Sequence, residues 1–372
     1  MSERILITGG AGFIGCHLAR ALLERGDEVR LLDSLIEQVH PVDGDRNPIL
    51  DDLELIEGDV RDPEAVALAL DGIDKVVHLA AEVGVGQSMY AIDRYVSVND
   101  RGTAVLMEGL IANPVARIVV ASSMSIYGEG LYRTGAGAEV EDAVHPERRA
   151  PGSGWDPVGA DGERLTPVPT PETKRPNLAS VYALTKYVQE RLTLTVPRRY
   201  GMKGVALRLF NAYGPGQALS NPYTGVLAII ASRLHNNERP LVFEDGEQRR
   251  DFVHVDDVAR AFLLALDSPR APGRVFNIGS GHDVTVTEVA EAIARAMGRP
   301  DMTPELVNKA RAGDIRHCFA DISLARDVLG YAPQRGFDDE TLGELAAWVE
   351  RQRAVDRVVQ ARRELEARGL VA

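Results

Sequence analysis

Along the first 210 residues, short apolar runs alternate with stretches of helical period. Arg4-Ile5-Leu6-Ile7-Thr8 is an apolar run ending in glycines, and from Phe13 to Glu24 the residues Ile14, Leu18, Ala21 and Leu22 form one stripe. That spacing predicts a strand followed by an amphipathic helix. Gly26-Asp27 stops the helix, and Glu28-Val29-Arg30-Leu31-Leu32 reads as a second strand ending at Asp33. Further strands are predicted at Leu53 to Ile56, Lys75 to Leu79, Arg117 to Ala121 and Val205 to Leu209. Helices are predicted at Pro63 to Leu70, Val96 to Ala112, Val181 to Tyr200, Gly225 to His235 and Val255 to Leu266. The strands are continuous apolar runs, as expected of a sheet covered on both faces. Strands alternating with helices predict an α/β protein built on a Rossmann-type, doubly wound parallel sheet.

Residues 129–176 break this rhythm with Gly, Pro and charge, as in Gly152-Ser153-Gly154-Trp155-Asp156-Pro157. They read as a long insertion, either a lid over the site or a surface loop. The expected division is a Rossmann-type domain over 1–210 and a smaller α/β C-terminal lobe over 211–372. Residues 251–269 are expected to return to the first domain. Charged helical sequence from about Asp339 to Arg368 reads as solvated.

Thr8 to Gly15 lies between the first strand and the first helix, and its glycines fit G-x-G-x-x-G and G-x-x-G-x-x-G at once. Glycine lets backbone N–H groups approach a pyrophosphate, which the helix N-terminus then faces. Gly15 is expected to let helix and strand pack closely. Asp33 stands 18 residues beyond Gly15 at the end of the second strand. A carboxylate there accepts from ribose hydroxyls and repels a 2′-phosphate, so NAD is favoured over NADP. A second constellation is Tyr182-Ala183-Leu184-Thr185-Lys186, whose first and last residues share a helix face. An ammonium beside a phenol favours phenolate, which makes the tyrosine a candidate general base. Ser122 to Ser125 follows the fifth strand, at the end where parallel sheets bind ligands.

Charge narrows the class. Lys+Arg is 42 against Asp+Glu 55, a net −13 with neutral His, which argues against a general nucleic-acid binder and against a polybasic membrane anchor. Two cysteines make neither a disulfide framework nor a four-Cys zinc site, so no metal is expected. With neither a signal-peptide pattern nor a run of about 18 apolar residues, a soluble cytoplasmic protein is expected. Cys16 reads as a packing residue, His78 and His254 as structural, and His17 as no metal ligand.

These residues resemble the extended short-chain dehydrogenase/reductases, in particular the NAD-dependent nucleotide-sugar epimerases and dehydratases. The resemblance spans roughly residues 3–350. It rests on TGGAGFIG (8–15), GDVRD (58–62), HLAA (78–81), SSMSIYG (122–128), YALTK (182–186), LRLFNAYGP (207–215), RDFVHVDD (250–257), FNIGSG (276–281) and AGDIRHCFAD (312–321). It is finest toward dTDP-L-rhamnose 4-epimerase-like and UDP-galactose 4-epimerase-like members. The resemblance implies a catalytic triad of Ser123, Tyr182 and Lys186. It implies NAD contacts by Gly9, Gly12, Phe13, Ile14, Gly15, Asp33, Ser34, Asp59, Val60, Leu79, Ala80, Ala81 and Asn99, besides Tyr182 and Lys186. For the sugar nucleotide it implies Ser125, Asn211, Arg250, Arg311 and Asp314, with Phe243 as a candidate platform under the base. A homodimer is implied as well, through the helix before Ala112 and the helix carrying Tyr182.

The reactions of that family begin with hydride removal at sugar C4. Its 4,6-dehydratases place Asp-Glu directly after the catalytic Thr, where this chain has Met124 and Ser125. Methionine has no proton to give and serine is a poor acid. The expectation is therefore 4-epimerisation of a nucleoside-diphosphate sugar through a transient 4-keto form, with no net redox. Alternatives are a 2-epimerase, 4,6-dehydratase or 4-reductase of the same family, and a non-catalytic NAD-binding sensor.

Overall fold

The computed structural model describes residues 2–40, 47–145, 154–219, 225–310, 314–352 and 358–371, without the side chains of 358–362. Seven strands make the central sheet: β1 (Arg4–Thr8), β2 (Glu28–Asp33), β3 (Glu54–Glu57), β4 (Lys75–His78), β5 (Arg117–Ser123), β6 (Lys203–Leu209) and β7 (Val275–Ile278). Their order is β7-β6-β5-β4-β1-β2-β3, and every pairing is parallel. The order reverses between β1 and β4, so their carboxyl ends open a crevice.

Helices cover both faces. On one side, α1 (Phe13–Arg25) packs against Val255–Asp267, which crosses back from the C-terminal half. Leu18, Leu22, Val258, Phe262 and Leu266 meet Ile5, Ile7 and Val119 there. On the other side α2 (Pro63–Leu70), α3 (Gly102–Ala112) and α4 (Val181–Arg199) bury Val66, Leu106 and Leu110 against Leu6, Val76 and Ile118. The helix expected from Val96 opens as a wider π-type turn, Val96–Arg101, before α3 begins. A second core lies in the C-terminal half. Val226–His235, Val286–Ala296 and Asp339–Glu350 enclose Leu227, Ile230, Val289, Ile293, Leu345 and Val349.

The described part of the insertion folds into a small antiparallel sheet, Leu131–Arg133 between Glu139–Val140 and Thr166–Val168. The charged C-terminal stretch is two helices, Asp339–Glu350 and Val358–Ala367. The second is not simply solvated. Leu365 is buried against Gly86, and the Arg368 guanidinium sits 4.3 Å over the Tyr90 ring. Among the described residues no helix is long and apolar enough to cross a membrane.

Candidate active site

A cleft of about 2900 Å³ opens over the carboxyl ends of β1, β2, β4 and β5 and runs to the C-terminal lobe. Of the residues expected from sequence to touch a ligand, all line it except Asn99 and Arg311. Arg311 lies outside the described residues. Asn99 is fully buried behind the wall and corrects the expected cofactor contact. Its amide donates to Glu82 O at 3.1 Å and to Thr185 Oγ1 at 2.9 Å, while its Oδ1 accepts from Glu82 N at 2.7 Å. With both amide protons committed, it ties the segment after β4 to the helix of Tyr182.

The glycine loop is shaped by contact distances. Gly9 has φ +69°, and a Cβ there would lie 2.7 Å from Ala80 N. A Cβ on Gly10 would lie 2.5 Å from Leu31 Cδ2, and one on Gly15 would lie 2.4 Å from Gly10 O. Gly15 thus lets the helix close on its own loop, rather than on the strand as expected. Gly12 precedes α1, whose first turn has no side-chain cap and no acid. Phe13 and Ile14 therefore face the cleft from an uncapped N-terminus, an arrangement suited to a diphosphate. At the end of β2, Asp33 accepts from Ala11 N at 3.0 Å and Leu35 N at 2.9 Å. One lone pair on each oxygen remains for ribose hydroxyls. Asp59 is chelated by Arg61 at 2.6 and 2.9 Å, and that guanidinium holds its carboxyl below the usual range.

On the facing wall, Ser180 caps α4 by accepting from Ala183 N at 3.1 Å, and Tyr182 N donates to Ser88 Oγ at 3.0 Å. A buried Arg208–Glu190 fork, at 2.9 and 2.8 Å, joins β6 to α4. Ser122 of β5 adds a 2.8 Å bond to the same carboxylate. This node sets Ser123 and Tyr182 relative to each other. Ser123 Oγ shares a 2.8 Å bond with Ser125 Oγ.

Burial dominates the electrostatics of this wall. It pushes the Tyr182 phenol up to about 12, against a lowering pull from the Ser123 hydrogen bond. It brings Lys186 down to about 7. Both groups sit in a dry wall, which disfavours the charged form of each. Lys186 Nζ donates to Gln189 Oε1 at 2.7 Å. Gln189 in turn reaches Thr103 Oγ1 at 2.9 Å and Ala80 O at 3.2 Å. Its role is not legible in sequence, where a glutamine three residues after the lysine reads as ordinary helix surface.

On the lobe side, Arg250 donates through Nη1 to Arg249 O at 3.0 Å and Arg316 O at 2.9 Å, and through Nη2 to Ile315 O. No carboxylate pairs with it among the described residues, so its charge is available to an anion. Asn211 Nδ2 donates to Asp251 O at 2.8 Å. Phe243, Asp314 and Ile315 complete this end. No described residue of the insertion lines the cleft. The remaining candidates are structural: Cys16 Sγ meets Ala11 O at 3.3 Å, and His17 bridges Asp256 at 2.8 Å and Pro215 O at 2.9 Å.

The residues fit NAD. They supply a glycine cradle that a Cβ would fill, an uncapped helix N-terminus and an acceptor at the end of β2. Comparison with known proteins agrees. Residues 5–151 and 156–279 match the family model described as NAD dependent epimerase/dehydratase family. The chain is 34% identical over 353 residues to a dTDP-L-rhamnose 4-epimerase of Burkholderia thailandensis, covering 93% of this chain and 95% of that one. Its fold is similar to a UDP-glucose 4-epimerase of Thermotoga maritima with UDP-glucose, at TM-score 0.74 and 30% identity, covering 93% and 98% of the two chains. A Thermus thermophilus UDP-glucose 4-epimerase complexed with NAD gives TM-score 0.71 and 29% identity, covering 94% and 99%. With the glycine cradle, the Tyr182–Lys186 wall and these matches in hand, the chain belongs to the NAD-dependent epimerase/dehydratase family.

Proposed function

We propose that this chain is an NAD-dependent nucleotide-sugar 4-epimerase in which Tyr182 takes and returns the proton of the sugar 4-hydroxyl. The observation that carries this reading is the content of one wall. Ser123, Tyr182 and Lys186 line the same cleft as the glycine loop, and the two residues after Ser123 are Met124 and Ser125. That pair offers no carboxylic acid to expel water from the sugar, which favours epimerisation over dehydration.

In the reaction, NAD held by the glycine loop and Asp33 would supply the hydride acceptor and later the hydride donor. Tyr182 accepts the hydroxyl proton as the C4–H bond breaks. Lys186, as its ammonium, favours the phenolate form. Ser123 donates to the C4 oxygen and holds it while the carbonyl forms; Ser125 keeps that hydroxyl oriented. The keto sugar then turns to present its other face, and Tyr182 returns the proton to the C4 oxygen. Arg250 and Asn211 are placed to meet the diphosphate, Asp314 the ribose, and Phe243 the base. The inferred substrate class is a pyrimidine nucleoside-diphosphate hexose, as dTDP-L-rhamnose and UDP-glucose are named for the relatives. We assign NAD binding mainly to residues 1–210 and sugar-nucleotide binding mainly to 211–372. A homodimer is also inferred, and a monomeric mass by light scattering would count against it.

The test is Tyr182→Phe. A panel of UDP- and dTDP-hexoses is incubated with wild type and variant, and products are read by NMR. Turnover is expected to fall about 10²–10⁴-fold, the scale of a lost general base, with NAD content largely intact. Wild-type turnover by the variant, or loss of water from the sugar, rejects the reading.

A further inference from the structure

Arg316 heads the largest fully buried side chains, and arginine is almost never so buried unless paired. Its Nε donates to Asp156 Oδ1 at 2.7 Å, and Asp156 belongs to the insertion. Its Nη1 donates to Glu244 Oε2 at 2.9 Å and Asp245 Oδ1 at 2.6 Å, and its Nη2 to Asp245 Oδ2 at 3.1 Å. The backbone is held as well: Glu129, at the start of the insertion, accepts from Arg316 N and His317 N. His317 adds to the clamp, with Nε2 3.2 Å from Asp156 Oδ1 and Nδ1 accepting from Arg249 N at 3.1 Å. Asp156 is held well below the usual carboxylate range by its hydrogen bonds, first from His317 and then from Arg316.

Two outputs of this node face the cleft. The carbonyls of Ile315 and Arg316, together with that of Arg249, are the acceptors that aim the Arg250 guanidinium. Glu244 and Asp245 directly follow Phe243, and Glu244 has a left-handed φ of +55°. A non-glycine residue persists in that conformation only where its surroundings fix it, and Arg316 is one of the groups that fix it. Arg250 and Phe243 both line the cleft, whereas the described insertion does not.

We propose that Arg316, locked by Asp156 of the insertion, is a positioning residue for the nucleotide half of the substrate, setting both Arg250 and the Phe243 turn. The described part of the insertion is then a brace behind the binding wall. Planar bidentate geometry is the reason arginine is used; lysine keeps the charge but cannot reach three carboxylates in the same fork. This rests on the reading that Arg250 meets the diphosphate, so the test separates the two.

Titration calorimetry of the NAD-loaded enzyme with UDP and with dTDP is run on wild type, Arg250→Ala, Asp156→Asn, Arg316→Lys and Arg316→Met, with bound NAD measured for each. Asp156→Asn and Arg316→Met are expected to raise Kd for the better nucleotide at least tenfold. Arg316→Lys should recover part of that loss, and NAD content should stay at the wild-type level. If Arg316→Met does not fold, Asp156→Asn and Arg316→Lys decide alone. Wild-type Kd in both of those, with affinity lost in Arg250→Ala, overturns the brace and leaves the substrate reading standing. Wild-type Kd in Arg250→Ala, or no nucleotide binding by the wild type, overturns the substrate reading and the proposal with it.

Discussion

Lys186 is held by Gln189: Nζ donates to Oε1 at 2.7 Å, one helical turn away on the same buried face. Burial has brought the lysine down to about 7, so its ammonium fraction is sensitive near neutrality. An acceptor for the charged form favours that form. Gln189→Met removes the acceptor and lowers the pKa further; Gln189→Glu supplies a carboxylate and raises it. The ammonium is the form that supports Tyr182, so turnover declines as pH rises through the lysine pKa. The alkaline limb of kcat is expected to move about one to two pH units down in Gln189→Met, given about 1.5–3 kcal/mol for a hydrogen bond to a charged group. In Gln189→Glu it is expected to move up. Limbs that coincide with wild type in both variants reject this role.

The glycines of the loop are not equivalent. Gly9→Ala and Gly15→Ala drive a Cβ to 2.7 and 2.4 Å from backbone atoms, and Gly9 also has positive φ. Gly12 has φ −73°, and its added Cβ would meet Gly9 O at 3.3 Å. The first two variants are expected to lose about 1–3 kcal/mol from backbone strain, a fall of about 1–4 °C in Tm for a chain of this length, and to purify with little NAD. Gly12→Ala should keep most of its Tm and lose NAD affinity modestly. Thermal melts with and without added NAD rank the three; Gly12→Ala as the worst would contradict the packing argument.

The features legible in sequence are local ones. A strand, a glycine turn and a helix announce themselves within 25 residues, and Tyr182 and Lys186 share a face by spacing alone. Gln189 was hidden because its partners, Thr103 and Ala80, come from α3 and the end of β4. Arg316 was hidden because its three carboxylate partners lie 71 to 160 residues away. Asn99 was visible as a polar residue but not its inward direction, which the π-type turn sets. The C-terminal helix shows mainly charge in sequence, and the few contacts that dock it, through Leu365 and Arg368, have no pattern of their own.

Asp33 serves both the loop and the proposed ribose site. In Asp33→Ala, the amides of Ala11 and Leu35 lose their acceptor, a cost of about 1–3 kcal/mol where no water replaces it. The negative charge that repels a 2′-phosphate also goes. The variant is expected to bind NAD at least tenfold more weakly while its preference for NAD over NADP narrows. Competition dialysis against both dinucleotides measures this; an unchanged preference ratio removes Asp33 from the ribose role.

His78 carries a pH dependence of stability. It is fully buried between Thr8 Oγ1 at 2.7 Å and Thr103 Oγ1 at 2.8 Å, with Gln189 Nε2 at 3.1 Å. Burial, then the charge of Lys186, lowers it from 6.5 to about 3. Between those values the unfolded chain binds a proton that the folded chain refuses. The contribution of a neutral His78 is therefore complete above pH 6.5 and is lost as pH falls toward 3, by at most about 1.4 kcal/mol per unit. Carboxylates titrate in part of the same range, so the comparison is with His78→Gln, which does not titrate. Urea midpoints at pH 7.5, 6.5, 5.5 and 4.5 are expected to fall more steeply for wild type below 6.5, while the two proteins run parallel above it. Parallel curves over the whole range would show that His78 accepts a proton in the folded enzyme, and the neutral hydrogen-bond relay from Thr8 to Lys186 would have to be redrawn.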